Sequence, residues 1–163
     1  MPLFEHRMQF AQSTKEGKNI PIPPAQSLHV LGPVLQVVVS PTEEHIRALN
    51  QRGELPPQPV TGLALIDTGA TATAVDEEVC RKLGLKPTGS MKTAHAGGPE
   101  ERACYPIAIS FPNTPFPAIS TPTAMSVNLQ FGKTPYILLF GRDLLVRIKF
   151  VYNGPAGRFE MAY

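Results

Sequence analysis

One aspartate in the chain stands in a setting suited to acid–base chemistry. Asp67 follows an apolar run at residues 64–66 and precedes Thr68, Gly69 and Ala70. An apolar strand would anchor the carboxylate in the core, the Thr hydroxyl can lock the turn, and Gly lets the backbone approach closely. Two carboxylates that share one proton can hydrolyse a peptide bond, because one accepts a proton from water while the other donates one to the carbonyl. A single copy of this motif therefore predicts that the second carboxylate comes from another copy of the chain.

The two remaining aspartates, Asp76 and Asp143, are poor candidates for that second carboxylate. Asp76 precedes a predicted short helix and is expected to cap it. Asp143 follows Arg142 and begins a helical turn, where an acidic residue usually interacts with the helix dipole. For Asp67 itself, the simpler alternative is a residue that only begins a turn after a strand.

Other catalytic chemistries find little support in the sequence. Cys80 and Cys104 form neither a disulfide framework nor a zinc-ligand spacing. Cys104 paired with His95 as a nucleophile would need a third orienting group, and none is evident. The Gly-x-Ser-x-Gly, phosphate-loop and His-Glu-x-x-His motifs do not occur. We therefore expect no metal and no cofactor.

Length and composition indicate one domain and exclude several classes of partner. The chain has 163 residues and a formal charge of +2, with Lys and Arg scattered along it. This pattern argues against a nucleic-acid or anionic-membrane surface. No apolar stretch approaches the roughly 18 residues of a membrane span, and the N-terminal sequence lacks the apolar core of a signal peptide. We expect a soluble cytoplasmic protein with no nucleic-acid or membrane partner.

Proline and glycine divide the chain into short elements. The 18 prolines and 13 glycines favour strands and turns over a helical bundle. Residues 1–24 are predicted to be a loosely held tail or linker, and residues 25–163 the folded domain. Within it, residues 40–59 contain a predicted helix, with Ser40 as N-cap and Pro41 at the first helical position.

Local patterns predict the remaining elements. Alternating or β-branched apolar runs indicate strands, and capped amphipathic stretches indicate helices. The predicted strands are 34–39, 60–66, 71–75, 91–96, 102–111, 136–140, 148–152 and 158–162, with proline-interrupted strands over 112–131 and short helices at 77–83 and 142–145.

Three segments together resemble the retropepsins, the homodimeric aspartic proteases of retroviral type and their cellular relatives in bacteria. Residues 65–70 read Leu-Ile-Asp-Thr-Gly-Ala, as in the active-site loop of that family. The hairpin around residues 94–98 stands where the family has its flap, and residues 138–143 match its hydrophobic strand followed by Gly-Arg-Asp. The resemblance covers roughly residues 30–163, and the order and spacing of the three segments make it more specific than the tripeptide alone.

The resemblance implies a mainly β fold: an acid-protease, closed β-barrel-like domain with short helices and one half-site per chain. It implies an aspartic endopeptidase that acts as a homodimer on extended peptide or protein substrates. The implied roles are Asp67 as the catalytic residue, Thr68, Gly69 and Ala70 as the active-site loop, His95, Ala96, Gly97 and Gly98 as the substrate-binding flap, and Arg142 and Asp143 as structural support.

The sequence departs from the family at one informative position. Many retroviral enzymes have an acidic residue two positions after the motif glycine. This residue pairs with the arginine near the C-terminus. Here that residue is Thr71, so the usual partner of Arg142 is absent. A second departure is the helix-bearing insertion of residues 40–59, which lies before the active-site strand, where the retroviral enzymes are compact. These two differences favour an alternative, a catalytically silent retropepsin-like module that binds peptides or dimerises. A further alternative is a protease whose dimer forms only transiently, with the segment before residue 25 as a cleavable one.

Overall fold

The computed structural model describes residues 3–95 and 98–163. These residues form a mainly β protein, which confirms the predicted class with short helices. In chain order the elements are β1 (Leu3–Arg7), β2 (Phe10–Ser13), β3 (Asn19–Ile22), α1 (Pro24–Leu31), β4 (Val34–Ser40), α2 (Glu43–Gln51), β5 (Val60–Ile66), β6 (Ala74–Asp76), α3 (Glu77–Lys82), β7 (Gly89–His95), β8 (Gly98–Ser110), β9 (Ile119–Val127), β10 (Tyr136–Phe140), α4 (Arg142–Leu145), β11 (Lys149–Asn153) and β12 (Arg158–Ala162).

The main sheet closes on itself. Its strand order is β4-β5-β10-β6-β9-β8-β7, and β4 also pairs with β8. Six strands therefore form a ring, and β7 is attached to it only through β8. Two smaller sheets complete the structure, the three strands β1-β12-β11 and the hairpin β2-β3.

Strand β10 lies between β5 and β6 in the ring. Its apolar sequence suits this place, because Ile137, Leu138 and Phe140 are fully buried. β10 runs parallel to β5 and antiparallel to β6. Since parallel strands end at the same edge of a sheet, Asp67 after β5 and Gly141 after β10 are neighbours. The predicted strands at 60–66 and 136–140 coincide with β5 and β10.

The N-terminal segment differs from the predicted loose tail over residues 1–24. Strand β1 pairs antiparallel with β12, from Leu3 opposite Ala162 to Arg7 opposite Arg158. Met8 follows it and is fully buried. The local sequence does not predict β1, because it is polar and lacks a clear apolar pattern. The strand is stabilised instead by pairing with β12, at the far end of the chain.

Two other boundaries shift from their predicted places. The N-cap of α2 is Thr42, whose hydroxyl accepts a hydrogen bond of 3.4 Å from the N–H of His45, and not Ser40. Ser40 instead ends β4, opposite Ala108 of β8. The strand predicted at 71–75 begins only at Ala74, since the preceding residues form the loop after Asp67.

The β7–β8 hairpin is longer than predicted and extends beyond the ring. Residues 98–104 of β8 pair with β7, and β8 also pairs with β9 from Cys104 onward. Ala96 and Gly97 lie outside the described residues. None of the helices in residues 3–95 and 98–163 is long and apolar enough to cross a membrane.

Candidate active site

The carboxylate of Asp67 is held by the backbone of its own turn. Its Oδ1 atom accepts a hydrogen bond of 2.8 Å from the N–H of Gly69 and one of 3.2 Å from the N–H of Ala70. Asp67 is half-buried, while Thr68 and Gly69 are exposed. A Cβ atom on Gly69 would lie 3.1 Å from the same Oδ1 atom. Glycine therefore leaves the room that this carboxylate orientation needs.

Strand β10 and the residues after it fix the loop from the other side. The N–H of Asp67 donates to the carbonyl of Phe140 over 3.0 Å. Beyond the strand, the N–H of Arg142 donates to the carbonyl of Ala70 over 3.0 Å, and that of Asp143 to the carbonyl of Thr71 over 3.2 Å. The loop is thus bonded along its length to the segment that follows β10.

The two segments approach so closely that only glycine fits between them. A Cβ atom on Gly141 would lie 2.5 Å from the carbonyl carbon of Ala72 and 2.7 Å from the backbone nitrogen of Thr73. Both neighbours are backbone atoms, which cannot rotate away as a flexible side chain can. Gly141 is therefore required by close packing.

Asp143 supports this crossing through a buried threonine. Its Oδ1 atom accepts hydrogen bonds of 2.8 Å from both the N–H and the hydroxyl of Thr73. The same hydroxyl accepts a hydrogen bond of 3.1 Å from the N–H of Gly141. Arg142, the residue between, donates from its guanidinium to the carbonyl of Thr68 over 3.4 Å. The structure brings Arg142 and Asp143 to the loop of Asp67.

Asp76 is buried and has structural partners. Its Oδ1 atom accepts a hydrogen bond of 2.9 Å from the N–H of Glu78, so it caps α3 as predicted. Its Oδ2 atom accepts from the N–H groups of Leu129 at 2.7 Å and Phe131 at 3.4 Å. No local sequence signal predicts the hydrogen bonds to Oδ2, because their donors, Leu129 and Phe131, are more than fifty residues away along the chain.

The hairpin residues expected to contact substrate are only partly described. His95 ends β7, and Gly98, opposite it, begins β8 with a φ of 105°. This positive φ suits glycine at the start of the returning strand. The prediction for Ala96 and Gly97 falls on residues outside the described ones, so it stays a prediction.

Both cysteines are buried and free. Burial raises the pKa of the Cys80 thiol to about 12, and it also raises the pKa of Cys104. A protonated thiol is a weak nucleophile, which disfavours a cysteine mechanism. Within residues 3–95 and 98–163, no group of three or more His, Cys, Asp or Glu side chains could hold a metal ion.

Comparisons with known proteins find a family match for part of the chain and a similar solved structure. Residues 53–114 match the family described as aspartyl protease. The crystal structure of a retropepsin-like aspartic protease from Rickettsia conorii is similar to this chain at 15% identity and a TM-score of 0.46, over 99% of this chain and 94% of that one. At that level the likeness says nothing about activity or assembly here. A comparison with curated proteins finds no match.

The matched segment contains Asp67, Thr68 and Gly69. It supports a protease-type function. Residues 53–114 of this chain are therefore similar to the aspartyl protease family.

Proposed function

We propose that the protein is an aspartic endopeptidase that acts as a homodimer, with one Asp67 contributed by each chain. The observation that carries this proposal is the state of the Asp67 carboxylate. Oδ1 is bound by two N–H groups of the turn, whereas Oδ2 has no hydrogen-bond partner among the described residues. One oxygen is thus fixed, and the other is available to a water molecule or to a second carboxyl group.

The need for a second chain follows from the other two aspartates. Asp76 is committed to α3 and the loop after β9, and Asp143 is committed to Thr73. Asp76 has both oxygens bonded, and Asp143 has a structural role at Thr73, so we assign the partner of Asp67 to a second chain. A two-fold symmetric dimer would supply an identical carboxylate in an identical turn.

The mechanism is general acid–base catalysis by the pair of Asp67 residues. Two carboxyl groups a few ångströms apart share one proton, because like charges at that distance do not both ionise easily. The ionised group takes a proton from the water, which attacks the peptide carbonyl. The protonated group donates to the developing oxyanion, and a proton then passes to the leaving nitrogen.

The substrate would be an extended peptide lying between the loop and the hairpin. Backbone groups of Ala70 and of the hairpin residues His95, Ala96, Gly97 and Gly98 would bond to it as to an added strand. The exposed outer edge of β7 is unpaired in the described sheet. Closure of the hairpin would exclude water from the reaction.

Cleavage of a mixed peptide library by wild type and by Asp67→Asn tests this proposal. We expect the variant to lose about a thousandfold in rate, because it cannot exchange the proton. Its fold and mass in solution should be unchanged. Glu16→Gln, which also removes one negative charge but lies on the surface beside Lys18, serves as the matched control and should cleave normally. Full activity of Asp67→Asn would refute the mechanism.

The alternative is a silent dimer that binds peptides without turnover, and the Thr71 departure favours it. That function would appear as a dimeric wild type that binds the library peptides and leaves them intact. The silent alternative would be excluded if the dimeric wild-type protein cleaves the peptides and its specific activity falls on dilution.

A further inference from the structure

A groove of about 740 Å³ lies on the surface between α3 and the loop of residues 128–132. Leu85 and Tyr105 line it between the two walls. Its size falls within the range of ligand-binding pockets, roughly 300 to 1,000 Å³. None of the residues that we place in the active site lines it. β6 joins the groove to the active-site loop, since it ends at Asp76, which also lines the groove.

The two walls are held together by one carboxylate. Through Oδ1, Asp76 caps α3, and through Oδ2 it accepts from Leu129 and Phe131 of the opposite wall. Asp76 is only 2% exposed, so water competes little for these bonds. The width of the groove is therefore fixed before any ligand arrives.

The loop wall is built around a residue in an unfavourable backbone conformation. Gln130 has a φ of 61°, a region that non-glycine residues rarely adopt. The N–H of Gln130 donates to Asn128 Oδ1 over 2.9 Å. The carbonyl of Gln130 accepts from the N–H groups of Lys133 at 2.9 Å and Thr134 at 3.1 Å. These bonds keep Gln130 at the rim of the groove and offset the strain.

Most of the charges in and beside the groove are already neutralised. Glu77 pairs with Arg102 over 3.5 Å, and Glu78 is hydrogen-bonded to Arg81. Asp76 has no salt bridge among the described residues, but it is buried and both of its oxygens accept hydrogen bonds, so Lys82 is the exception among the exposed charges. Within the described residues no Asp or Glu lies within salt-bridge distance of it. Its ammonium group instead lies 4.6 Å from the centroid of the Phe131 ring.

We propose that this groove binds a second segment of the protein substrate, remote from the cleaved bond, in which acidic and aromatic side chains alternate. Lys82 would receive a carboxylate, and the ring of Phe131 would pack against the aromatic side chain. The amide of Gln130 and the hydroxyl of Tyr105 supply further hydrogen bonds to such a segment. The proposal rests on the proposed function, because it assigns the groove to the substrate of the same active site.

The geometry of β6 makes simultaneous binding feasible. This strand has three residues, Ala74–Asp76, and spans about 10 Å at a rise of about 3.3 Å per residue. The loop of residues 68–73 lies between β6 and Asp67, so the flexible connection in the substrate must span this loop as well as the strand. Binding at the groove would then raise the effective concentration of the cleavable segment at Asp67.

Titration of the full-length Asp67→Asn protein with a synthetic peptide, followed by backbone amide NMR, tests binding without turnover. The probe is Gly-Asp-Phe-Asp-Phe-Gly, and Gly-Lys-Phe-Lys-Phe-Gly is the charge-reversed control peptide. We expect shifts at residues 81–85 and 128–132 with the acidic peptide only. Lys82→Ala should weaken binding about three- to fivefold, the loss expected for one ion pair of an exposed lysine. Lys133→Ala, on the same loop but outside the groove, should change it less than about twofold.

A cleavage measurement then connects the groove to the substrate. A library peptide that the wild type cleaves is extended through a Gly-Ser linker by either hexapeptide. We expect the acidic extension to give a KM about three- to fivefold lower than the basic extension, with kcat unchanged, and Lys82→Ala to remove the difference. Equal KM values for the two extensions, equal binding of the two hexapeptides, or shifts centred on residues 67–71 would each overturn the proposal. Failure of the wild type to cleave any peptide would refute the proposed function instead, and the titration would still report on the groove separately.

Discussion

The guanidinium of Arg142 donates a hydrogen bond of 3.0 Å to the hydroxyl of Thr71, two residues after Gly69. Many retroviral enzymes have an acid at this position, and the sequence predicted that Arg142 would lack its usual partner. The structure shows that a neutral hydroxyl takes the acid's place. Arg142 therefore still bonds to the active-site loop, through Thr71 and the carbonyl of Thr68, but without an ion pair.

This contact predicts the effect of restoring the acid. Thr71→Asp should form an ion pair with Arg142 and raise the free energy of unfolding by at most about 1 kcal/mol, since both residues are exposed. Thr71→Val should lower it by about 0.5 to 1 kcal/mol, because the hydroxyl acceptor is lost. Urea unfolding of both variants measures the difference. A Thr71→Asp protein less stable than Thr71→Val would show that the guanidinium does not reach this side chain.

The close approach of Gly141 to the chain after the active-site loop predicts a large cost for one added methyl group. Gly141→Ala would place Cβ 2.5 Å from a backbone carbon of Ala72, so one of the two segments must move. We expect a loss of about 3 kcal/mol or more in the free energy of unfolding, together with reduced cleavage because the Asp67 loop shifts. Chemical denaturation and the peptide assay on the same samples measure both effects.

Gly89→Ala is the matched control for this change. A Cβ atom on Gly89 would meet no atom within 4 Å, and its φ is one that alanine adopts freely. The free energy of unfolding of Gly89→Ala should stay within about 0.5 kcal/mol of the wild-type value. Equal stabilities of the two alanine variants would contradict the packing argument.

The parts of the fold that the sequence predicted are those with strong local signals. β5 and β10 stand out as apolar runs, and Asp76 precedes a helix with acids at its start and bases at its end. For these elements the side chains that determine the structure are neighbours in the sequence. The turn at Asp67 belongs with them, because its hydrogen bonds come from Gly69 and Ala70.

The parts that could not be predicted depend on partners far away in the chain. Thr73 and Asp143 are 70 residues apart, and nothing around either one indicates the other. The same holds for β1, which is a strand because β12 is beside it. The second role of Asp76 is likewise invisible locally, since its Oδ2 bonds require the loop after β9 to fold back over α3. Contacts of this kind form only when the whole chain folds, so no local segment predicts them.

The buried thiol of Cys80 predicts how stability depends on pH at the alkaline end. Its pKa is about 12 in the folded protein, mainly because burial disfavours the thiolate, against an ordinary value of 9.0. Between these values the unfolded chain releases a proton that the folded chain retains, so rising pH favours unfolding. The contribution of Cys80 to stability is therefore complete below pH 9 and is lost progressively as pH rises toward 12.

Comparison of wild type with Cys80→Ala isolates this effect from the Lys and Tyr groups that titrate in the same range. From pH 8 to about pH 10.5, wild type should lose about 2 kcal/mol more of its free energy of unfolding than the variant does. Denaturant unfolding at each pH measures the two slopes, so a constant cost of the alanine cavity does not affect the result. Parallel curves would mean that the thiol ionises as readily in the folded protein as in the unfolded chain. That outcome would contradict the burial of Cys80, which lies on the side of α3 that packs into the core.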